Sequence, residues 1–101
     1  MLHVIATIRC KSGQRDAVLA AMRANLPNVL AEDGCLRYEP CTDVATAIPV
    51  QQRSDDEITV VESWESLAHL QAHLQAPHMQ RYREQVVDLV EGASLRVVSP
   101  G

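Results

Sequence analysis

Three of the four histidines lie close together in the second half of the chain, just after its single tryptophan. They are His69, His73 and His78, and the tryptophan is Trp64. On a helix, His73 falls at the edge of an apolar stripe, where the helix would meet the edge of a sheet. An imidazole in such a place can accept or donate a proton near neutral pH without a large change in its pKa. His73 is therefore a candidate proton acceptor, and a half-buried histidine bonded to the backbone is the alternative.

The histidine spacing also raises the question of a metal site. His69 and His73 are four residues apart, which would place two ligands on one face of a helix. A third ligand would have to be His78 or an acid such as Glu62. The sequence has no H-E-x-x-H motif and no cysteine nearby, so we predict no metal here.

An acid and the few aromatic residues complete the candidate site. Glu62 shares a predicted strand face with Trp64 and apolar residues, and an acid in an apolar row needs a partner or a raised pKa. It is a candidate for binding or proton transfer, with a salt bridge to an arginine as the alternative. The aromatic residues are only Trp64, Tyr38 and Tyr82. Aromatic rings can stack on a flat ligand, although Trp64 could instead belong to the core.

Apolar periodicity predicts the elements that would position these side chains. Apolar residues recur every second position in strands and about every 3.6 positions in helices. The predicted strands are residues 2–10, 35–42, 57–64 and 94–99. The predicted helices are residues 14–31, 66–76 and 77–91, with Gly92 just after the last. The order is β-α-β-β-α-β with the second helical region split at Pro77, which predicts a ferredoxin-like α+β fold: a four-stranded antiparallel sheet with helices on one face.

Local signals refine this order. Ser12 is the predicted N-cap of the first helix, and Pro27 is predicted to kink that helix. Residues 43–55 have no sustained period and predict a long loop. Without a linker or an internal repeat, 1–101 is predicted to form a single domain.

Composition excludes several classes of function. The formal net charge of −4 argues against nucleic acid as a partner. No apolar run approaches the ~18 residues of a membrane span. No nucleotide, flavin or covalent haem motif occurs, so we expect chemistry without a cofactor. The odd set of cysteines, Cys10, Cys35 and Cys41, predicts free thiols in the cytoplasm, with a Cys35–Cys41 redox pair as the alternative.

Both faces of the predicted sheet carry apolar residues. Ile5 lies opposite Val4 along the first strand, and Val61 lies opposite Val60 along the third. Helices can cover only one of these faces, so a second sheet packed against the other would bury the rest. This pattern predicts a homodimer through the sheet faces. A monomer with scattered exposed valines is the alternative.

Three motifs together resemble the antibiotic biosynthesis monooxygenase family. They are G-C-x-x-Y at residues 34–38, E-x-W at residues 62–64 and H-x-x-x-x-H at residues 73–78. The resemblance spans nearly the whole chain and is closest to the small bacterial quinol monooxygenases. It implies a ferredoxin-like subunit that dimerises through its sheets into an α/β barrel, with a pocket between sheet and helices.

The resemblance also implies oxidation of a quinol or polycyclic phenol by O₂ without flavin, metal or haem. A deprotonated hydroquinone can itself give an electron to O₂, so the protein need only bind it, remove a proton and exclude water. His73 would accept the proton, Trp64 would stack and donate a hydrogen bond, and Tyr38 would orient the substrate. The implied catalytic residues are thus His73, Trp64 and Tyr38, and the implied substrate-binding residues are Glu62, His78 and Tyr82.

Two other functions remain open, because fold likeness does not choose among chemistries. An isomerase of a small phosphorylated metabolite would require Arg37, Arg53 or Arg81 to converge on an anion. A ligand-binding dimer would bind an aromatic molecule without turning it over. A haem-degrading activity is disfavoured, because similar relatives carry an asparagine on the first strand and this chain has none there.

Overall fold

One antiparallel sheet, covered on one side by helices, forms the computed structural model, which describes residues 1–101. The strands are β1 (Leu2–Cys10), β2 (Cys35–Cys41), β3 (Glu57–Trp64) and β4 (Val90–Val98). The helices are α1 (Arg15–Leu30), α2 (Leu67–Gln75) and α3 (Pro77–Val86). The strand order across the sheet is β2-β3-β1-β4. This confirms the predicted ferredoxin-like fold with its split second helical region.

The two central strands supply the sheet's share of the core. Val4 and Ala6 of β1 are buried, as are Ile58 and Val60 of β3. Val4 is paired with Glu62 and Ala6 with Val60, and residues paired across an antiparallel sheet point to the same face. Buried residues of all three helices pack on this face, so the predicted alternation of β1 and β3 is confirmed.

Helix α1 begins later than its predicted cap. The N-cap is Gln14, with no side-chain cap bond, so the prediction that Ser12 caps the helix is wrong. Gly13 follows Ser12 with a φ of 76°, and its N–H donates to Asp56 Oδ1 at 3.0 Å. Because this left-handed residue forms a turn tied to the loop before β3, the helix can begin only beyond it. The helix contains Pro27 and continues to Leu30.

Helix α3 ends earlier than predicted, and β4 begins earlier. The chain leaves the helix after Val86, and Val90 already pairs with Cys10 of β1. Gly92 therefore lies within a strand opposite Arg9, and the prediction that it follows a helix end is wrong. The apolar residues between Val86 and Val90 fit both the helical and the strand period. The backbone groups on one edge of β1 need hydrogen-bond partners, which favours a strand here.

The helices leave the β4 side of the sheet open. Leu95 pairs with Ala6, and Val97 pairs with Val4, so both side chains point to the helical face. They are nevertheless 47% and 43% exposed. On the opposite face of the sheet, Ile5 is 38% exposed. Apolar surface on both faces thus remains uncovered within one chain.

The three thiols are free, and the possible redox pair lies too far apart to form. Cys35 and Cys41 occupy the two ends of β2. A strand rises ~3.3 Å per residue, which separates them by about 20 Å. A disulfide needs Cα atoms within ~7 Å, so these two cysteines of one chain cannot be bridged. No helix of this fold has the length and apolar character needed to cross a membrane.

Candidate active site

A cavity of about 600 Å³ opens between α3 and the β4 side of the sheet. Of the 19 residues that line it, 13 are hydrophobic. We call it the main cavity. Its walls include Ala6 and Ile8 of β1, Leu95 of β4 and Val86 of α3. The volume lies within the ~300–1,000 Å³ that small-molecule sites usually have, and the lining favours an apolar ligand.

Four of the six predicted site residues line the main cavity. They are Tyr38, Glu62, His73 and Tyr82. Tyr38 and Glu62 are paired across β2 and β3, so the sheet itself brings them side by side. His73 comes from α2 and Tyr82 from α3. Residues far apart in sequence thus meet at one wall because the two helices pack over the same sheet face.

His73 is held at this wall by an acid and two aromatic rings. Its side chain is 2% exposed, and Nδ1 lies 2.7 Å from Glu32 Oε2. The ring centroid lies 4.7 Å from that of Trp64 and 5.4 Å from that of Tyr38. A carboxylate only accepts hydrogen bonds, so Nδ1 carries the ring proton and donates a hydrogen bond to Glu32. The other nitrogen, Nε2, has no protein partner and is left as an acceptor.

The environment of His73 keeps its ring neutral at neutral pH. Burial lowers the pKa of His73, while the hydrogen bond and charge of Glu32 oppose that effect. A neutral imidazole with an open Nε2 lone pair is the form that can take a proton. His73 can therefore accept a proton at Nε2 in this arrangement.

Glu62 is the second titratable group in the main cavity. Its residue is 5% exposed, and Oε1 accepts the indole N–H of Trp64 at 2.9 Å. Burial raises the pKa of Glu62 to about 7, with the Trp64 hydrogen bond lowering it and the charge of Glu32 raising it further. Near neutral pH the carboxyl group is therefore present in both forms. It can donate a hydrogen bond to a ligand or accept one.

The two tyrosines offer hydroxyl groups to the same space. Neither hydroxyl bonds to another protein group, although both residues line the main cavity. Burial raises the pKa of Tyr38, and it raises the pKa of Tyr82 to about 12. Both phenols therefore stay protonated and can donate to an oxygen atom of a ligand.

Trp64 and His78 lie behind the cavity wall instead of on it. Trp64 is completely buried beneath His73 and Glu62, so the expectation that it stacks on a substrate is not what the structure shows. His78 Nε2 lies 3.4 Å from Glu32 Oε2, and its Nδ1 accepts from Asn25 Nδ2 at 3.1 Å. It lines a separate polar cavity of about 200 Å³ between α1 and α3. Both residues therefore contact the groups that form the site, not its interior.

His69 and His73 bind different partners despite their helical spacing. His69 Nδ1 lies 2.6 Å from Ser66 Oγ, and its Nε2 lies 3.5 Å from Asp33 Oδ2. His73 is instead bonded to Glu32. The two rings thus contact different acidic residues, Asp33 and Glu32, just after the end of α1.

A family model described as antibiotic biosynthesis monooxygenase matches residues 1–85. The chain belongs to this family. The Escherichia coli (strain K12) protein named "Probable quinol monooxygenase YgiN" is 46% identical over 103 residues, covering 100% of this chain and 99% of that one.

Solved structures share the fold along almost the whole chain. The structure of Rv0793 from Mycobacterium tuberculosis has a TM-score of 0.80 at 27% identity, covering 99% of this chain and 94% of that one. The crystal structure of PA3566 from Pseudomonas aeruginosa has a TM-score of 0.81 at 24% identity, with coverage of 99% and 93%. The second likeness shows the fold alone.

The structure shows where each motif of the antibiotic biosynthesis monooxygenase family lies relative to the main cavity. G-C-x-x-Y begins at the left-handed Gly34 and ends at Tyr38 in the cavity wall. E-x-W places Glu62 and Trp64 two residues apart on one strand, so both side chains share a face and can bond to each other. The histidine motif brings its first member, His73, to the main cavity.

Glu32 is the site residue that sequence reasoning missed. It follows the end of α1 in a short turn, where its N–H donates to Val29 O. It carries no motif and is one of 13 acidic residues. Its contact with His73 spans 41 positions of sequence, and no periodicity reports contacts at that range. Only the packing of the end of α1 against α2 and α3 reveals it.

Proposed function

We propose that the protein is a cofactor-independent monooxygenase that oxidises a quinol or polycyclic phenol with O₂. The observation that carries the proposal is the open Nε2 of His73, which faces an apolar cavity while Glu32 holds Nδ1. Membership of the antibiotic biosynthesis monooxygenase family supports it. So does the name of the Escherichia coli relative, a quinol monooxygenase.

The first step is removal of a proton from the substrate. His73 Nε2 takes the proton of a phenolic O–H, which leaves an electron-rich phenolate in the cavity. The phenolate then gives an electron to O₂, and the two radicals combine at a ring carbon. The O–O bond then breaks: one oxygen atom stays on the ring in place of a hydrogen, and the other leaves as water with two protons, one of them returned by His73. The hydroquinone thereby becomes a hydroxyquinone. The substrate supplies all the electrons that the balance needs.

The cavity suits such a substrate in size and in polarity. A space of about 600 Å³ accommodates an aromatic system of two or three rings. The apolar walls would hold the ring faces and exclude water, which protects the phenolate from the solvent. Glu62, Tyr38 and Tyr82 offer hydrogen bonds to the oxygen atoms of the ring.

The arginines that an isomerase of a phosphorylated metabolite would need do not converge. Arg37 pairs with Glu39, and both side chains are about half exposed. Arg53 pairs with the exposed Asp55, and Arg81 is also exposed. None of these three arginines lines the main cavity. Arg83 does line it, but its guanidinium donates to Leu74 O. The geometry therefore favours an apolar phenol over a small anion.

The active form in this proposal is a homodimer in the cytoplasm, each subunit a single domain of residues 1–101. Ile5 pairs with Val61 on the sheet face that no helix covers, and Val98 lies on the same face. A second sheet packed there would bury these three side chains. Three free thiols favour a reducing compartment.

Oxygen uptake by the metal-free and flavin-free protein tests the proposal. A panel of naphtho- and benzohydroquinols is compared with its own autoxidation, for the wild type, for His73→Ala and for the matched control His69→Ala. Uptake above autoxidation in wild type and control, lost in His73→Ala, is the expected result. Full uptake in His73→Ala would contradict the assigned base. Tight binding of these quinols with no uptake would point to a ligand-binding protein.

A further inference from the structure

Behind His73 lies a row of polar side chains, joined by three hydrogen bonds and one longer contact between His78 and Glu32. Asn28 Nδ2 donates to Asn25 Oδ1 at 3.0 Å, and Asn25 Nδ2 lies 3.1 Å from His78 Nδ1. His78 Nε2 then faces Glu32 Oε2 at 3.4 Å, and the same oxygen lies 2.7 Å from His73 Nδ1. The row joins the polar cavity between α1 and α3 to the wall of the main cavity.

The direction of each hydrogen bond follows from the first. Asn25 Oδ1 accepts the hydrogen bond from Asn28, so the group of Asn25 that lies next to His78 is its NH₂. An NH₂ group of an amide only donates hydrogen bonds. His78 Nδ1 must therefore accept. A neutral imidazole carries its single proton on the other nitrogen, which is the Nε2 that faces Glu32.

Glu32 Oε2 thus accepts one imidazole N–H, from His73, and lies 3.4 Å from a second imidazole nitrogen, His78 Nε2, without a hydrogen bond between them. His78 Nε2 is sealed from solvent and has no hydrogen-bond partner, so Glu32 Oε2 at 3.4 Å is the acidic atom beside it. The Glu32 side chain is only 16% exposed. The hydrogen bond to His73 and the adjacent His78 ring limit the rotation of this carboxylate. Held in this way, the carboxylate of Glu32 can only accept the hydrogen bond of His73 Nδ1.

We propose that Glu32 and His78 are positioning residues for His73, locking it in the tautomer whose Nε2 lone pair faces the main cavity. Asn25 sets the tautomer of His78, and His78 in turn orients Glu32. The inference rests on the proposed function for its catalytic consequence, but the tautomer itself is a property of the free protein.

The charge of Glu32 matters at the moment of proton transfer. When His73 Nε2 takes the phenolic proton, the substrate O–H bond breaks, an N–H bond forms, and the ring becomes an imidazolium. Its positive charge then lies 2.7 Å from a carboxylate oxygen. This arrangement stabilises the imidazolium without moving the Nδ1 proton.

Other charged groups act on His73 as well. Glu32 raises the pKa of His73, whereas Arg83 and His78 of α3 lower it. Glu62 of β3, with a pKa of about 7, titrates in the same cavity. A pH profile of the rate alone would therefore mix several groups, so the decisive measurement must observe the His73 ring directly.

Nitrogen-15 NMR of histidine-labelled protein without substrate provides that measurement. We expect His73 protonated at Nδ1 in the wild type and in Glu32→Gln, since a Gln oxygen can still accept this proton. We expect Glu32→Gln to lower the pKa of His73, because the negative charge is gone. In Glu32→Leu, His73 should sample both tautomers. A wild-type ring that samples both, or Glu32→Leu with the wild-type tautomer, would overturn the proposal.

Kinetics test the role of His78 with a rescue. His78→Leu should lower kcat at least ~10-fold with KM within ~3-fold, and His78→Gln, which keeps a side-chain N–H donor, should recover most of it. His69→Gln, on the same helix as His73 and beside Asp33, is the control expected to keep the wild-type rate. Equal rates in His78→Leu and wild type would overturn the role of His78. A wild type with no uptake would instead refute the proposed function, and the NMR result would still decide the tautomer lock.

Discussion

His69 lies directly over Gly34, so close that no side chain fits between them. A Cβ atom built on Gly34 would come within 2.3 Å of the His69 ring. Gly34 also has a φ of 78°, a conformation that costs other residues energy. The glycine that opens the G-C-x-x-Y motif is thus required twice, once by the backbone turn and once by the histidine above it. Together they fix how the end of α1 enters β2.

Replacing Gly34 by alanine should destabilise the fold strongly. The left-handed conformation costs ~1–2 kcal/mol for an alanine, and the overlap with His69 adds about 1–3 kcal/mol. Gly13→Ala is the matched control, because Gly13 has a φ of 76° with no atom within 4 Å of the added Cβ. Urea unfolding should show a clearly larger loss for Gly34→Ala. In the double variant Gly34→Ala/His69→Ala, only the part of that loss due to the imidazole ring should be recovered, because the Cβ of residue 69 still lies 2.7 Å from the added methyl group. Equal losses at both glycines would refute the role of His69.

Glu62→Gln should make stability less dependent on pH. The pKa of Glu62 is raised from 4.5 to about 7, so the folded state holds a proton that the unfolded state releases. Wild-type stability therefore falls as pH rises from about 4.5 to about 7, and the ionised form costs up to about 3 kcal/mol above that range. Urea unfolding at about pH 4 should show little difference between the proteins. At about pH 8 the variant should be more stable, and equal stability there would contradict the buried carboxyl group.

Trp64→Phe should raise the pKa of Glu62. Phenylalanine keeps an aromatic ring beside His73 but removes the indole N–H that donates to the carboxylate at 2.9 Å. This hydrogen bond lowers the pKa of Glu62, so its loss favours the protonated acid. The titration of carbon-13-labelled glutamate carboxyl groups, followed by NMR, should show one group that titrates at higher pH than in the wild type. An unchanged titration would mean that Trp64 does not act through Glu62.

Tyr38→Phe should weaken substrate binding more than turnover. The change keeps the ring against His73 and removes one hydroxyl that faces the main cavity. A neutral hydrogen bond contributes ~0.5–1.5 kcal/mol, which corresponds to a KM about 2–12-fold higher. Steady-state oxygen uptake measures kcat and KM separately. A large fall in kcat with an unchanged KM would show instead that Tyr38 acts in the chemical step.

Ile5→Asp should separate the proposed dimer. Ile5 lies on the uncovered sheet face opposite Val61 and would place a charge in the middle of the interface. Leu67→Asp is the control, since Leu67 is 52% exposed on α2, on the other side of the sheet. Sedimentation should give a monomer for the first variant and a dimer for the second and for the wild type. A wild-type monomer would refute the dimer itself.

The accuracy of the sequence predictions differs from element to element. The bounds of β1 and β3 agree with prediction because β1 alternates and β3 is rich in β-branched residues. The predicted end of α3 lies beyond the observed one, because apolar residues from Val86 to Val90 suit either a helix or a strand. Ser12 has the residue type of a cap, but the turn at Gly13 moves the helix start beyond its reach.

The predictions for the candidate site also differ in accuracy from residue to residue. The sequence determined which side chains share a face, because Glu62 and Trp64 are two positions apart on a strand and that period holds within any sheet. Tertiary structure alone decided that Glu32 is bonded to His73, that His78 lies beside Glu32, and that Trp64 lies behind the site instead of facing the ligand. Local periodicity reports which way a side chain points within its own element. It carries no information on which residue of another helix that side chain contacts, since the contact depends on how the helices pack over the sheet.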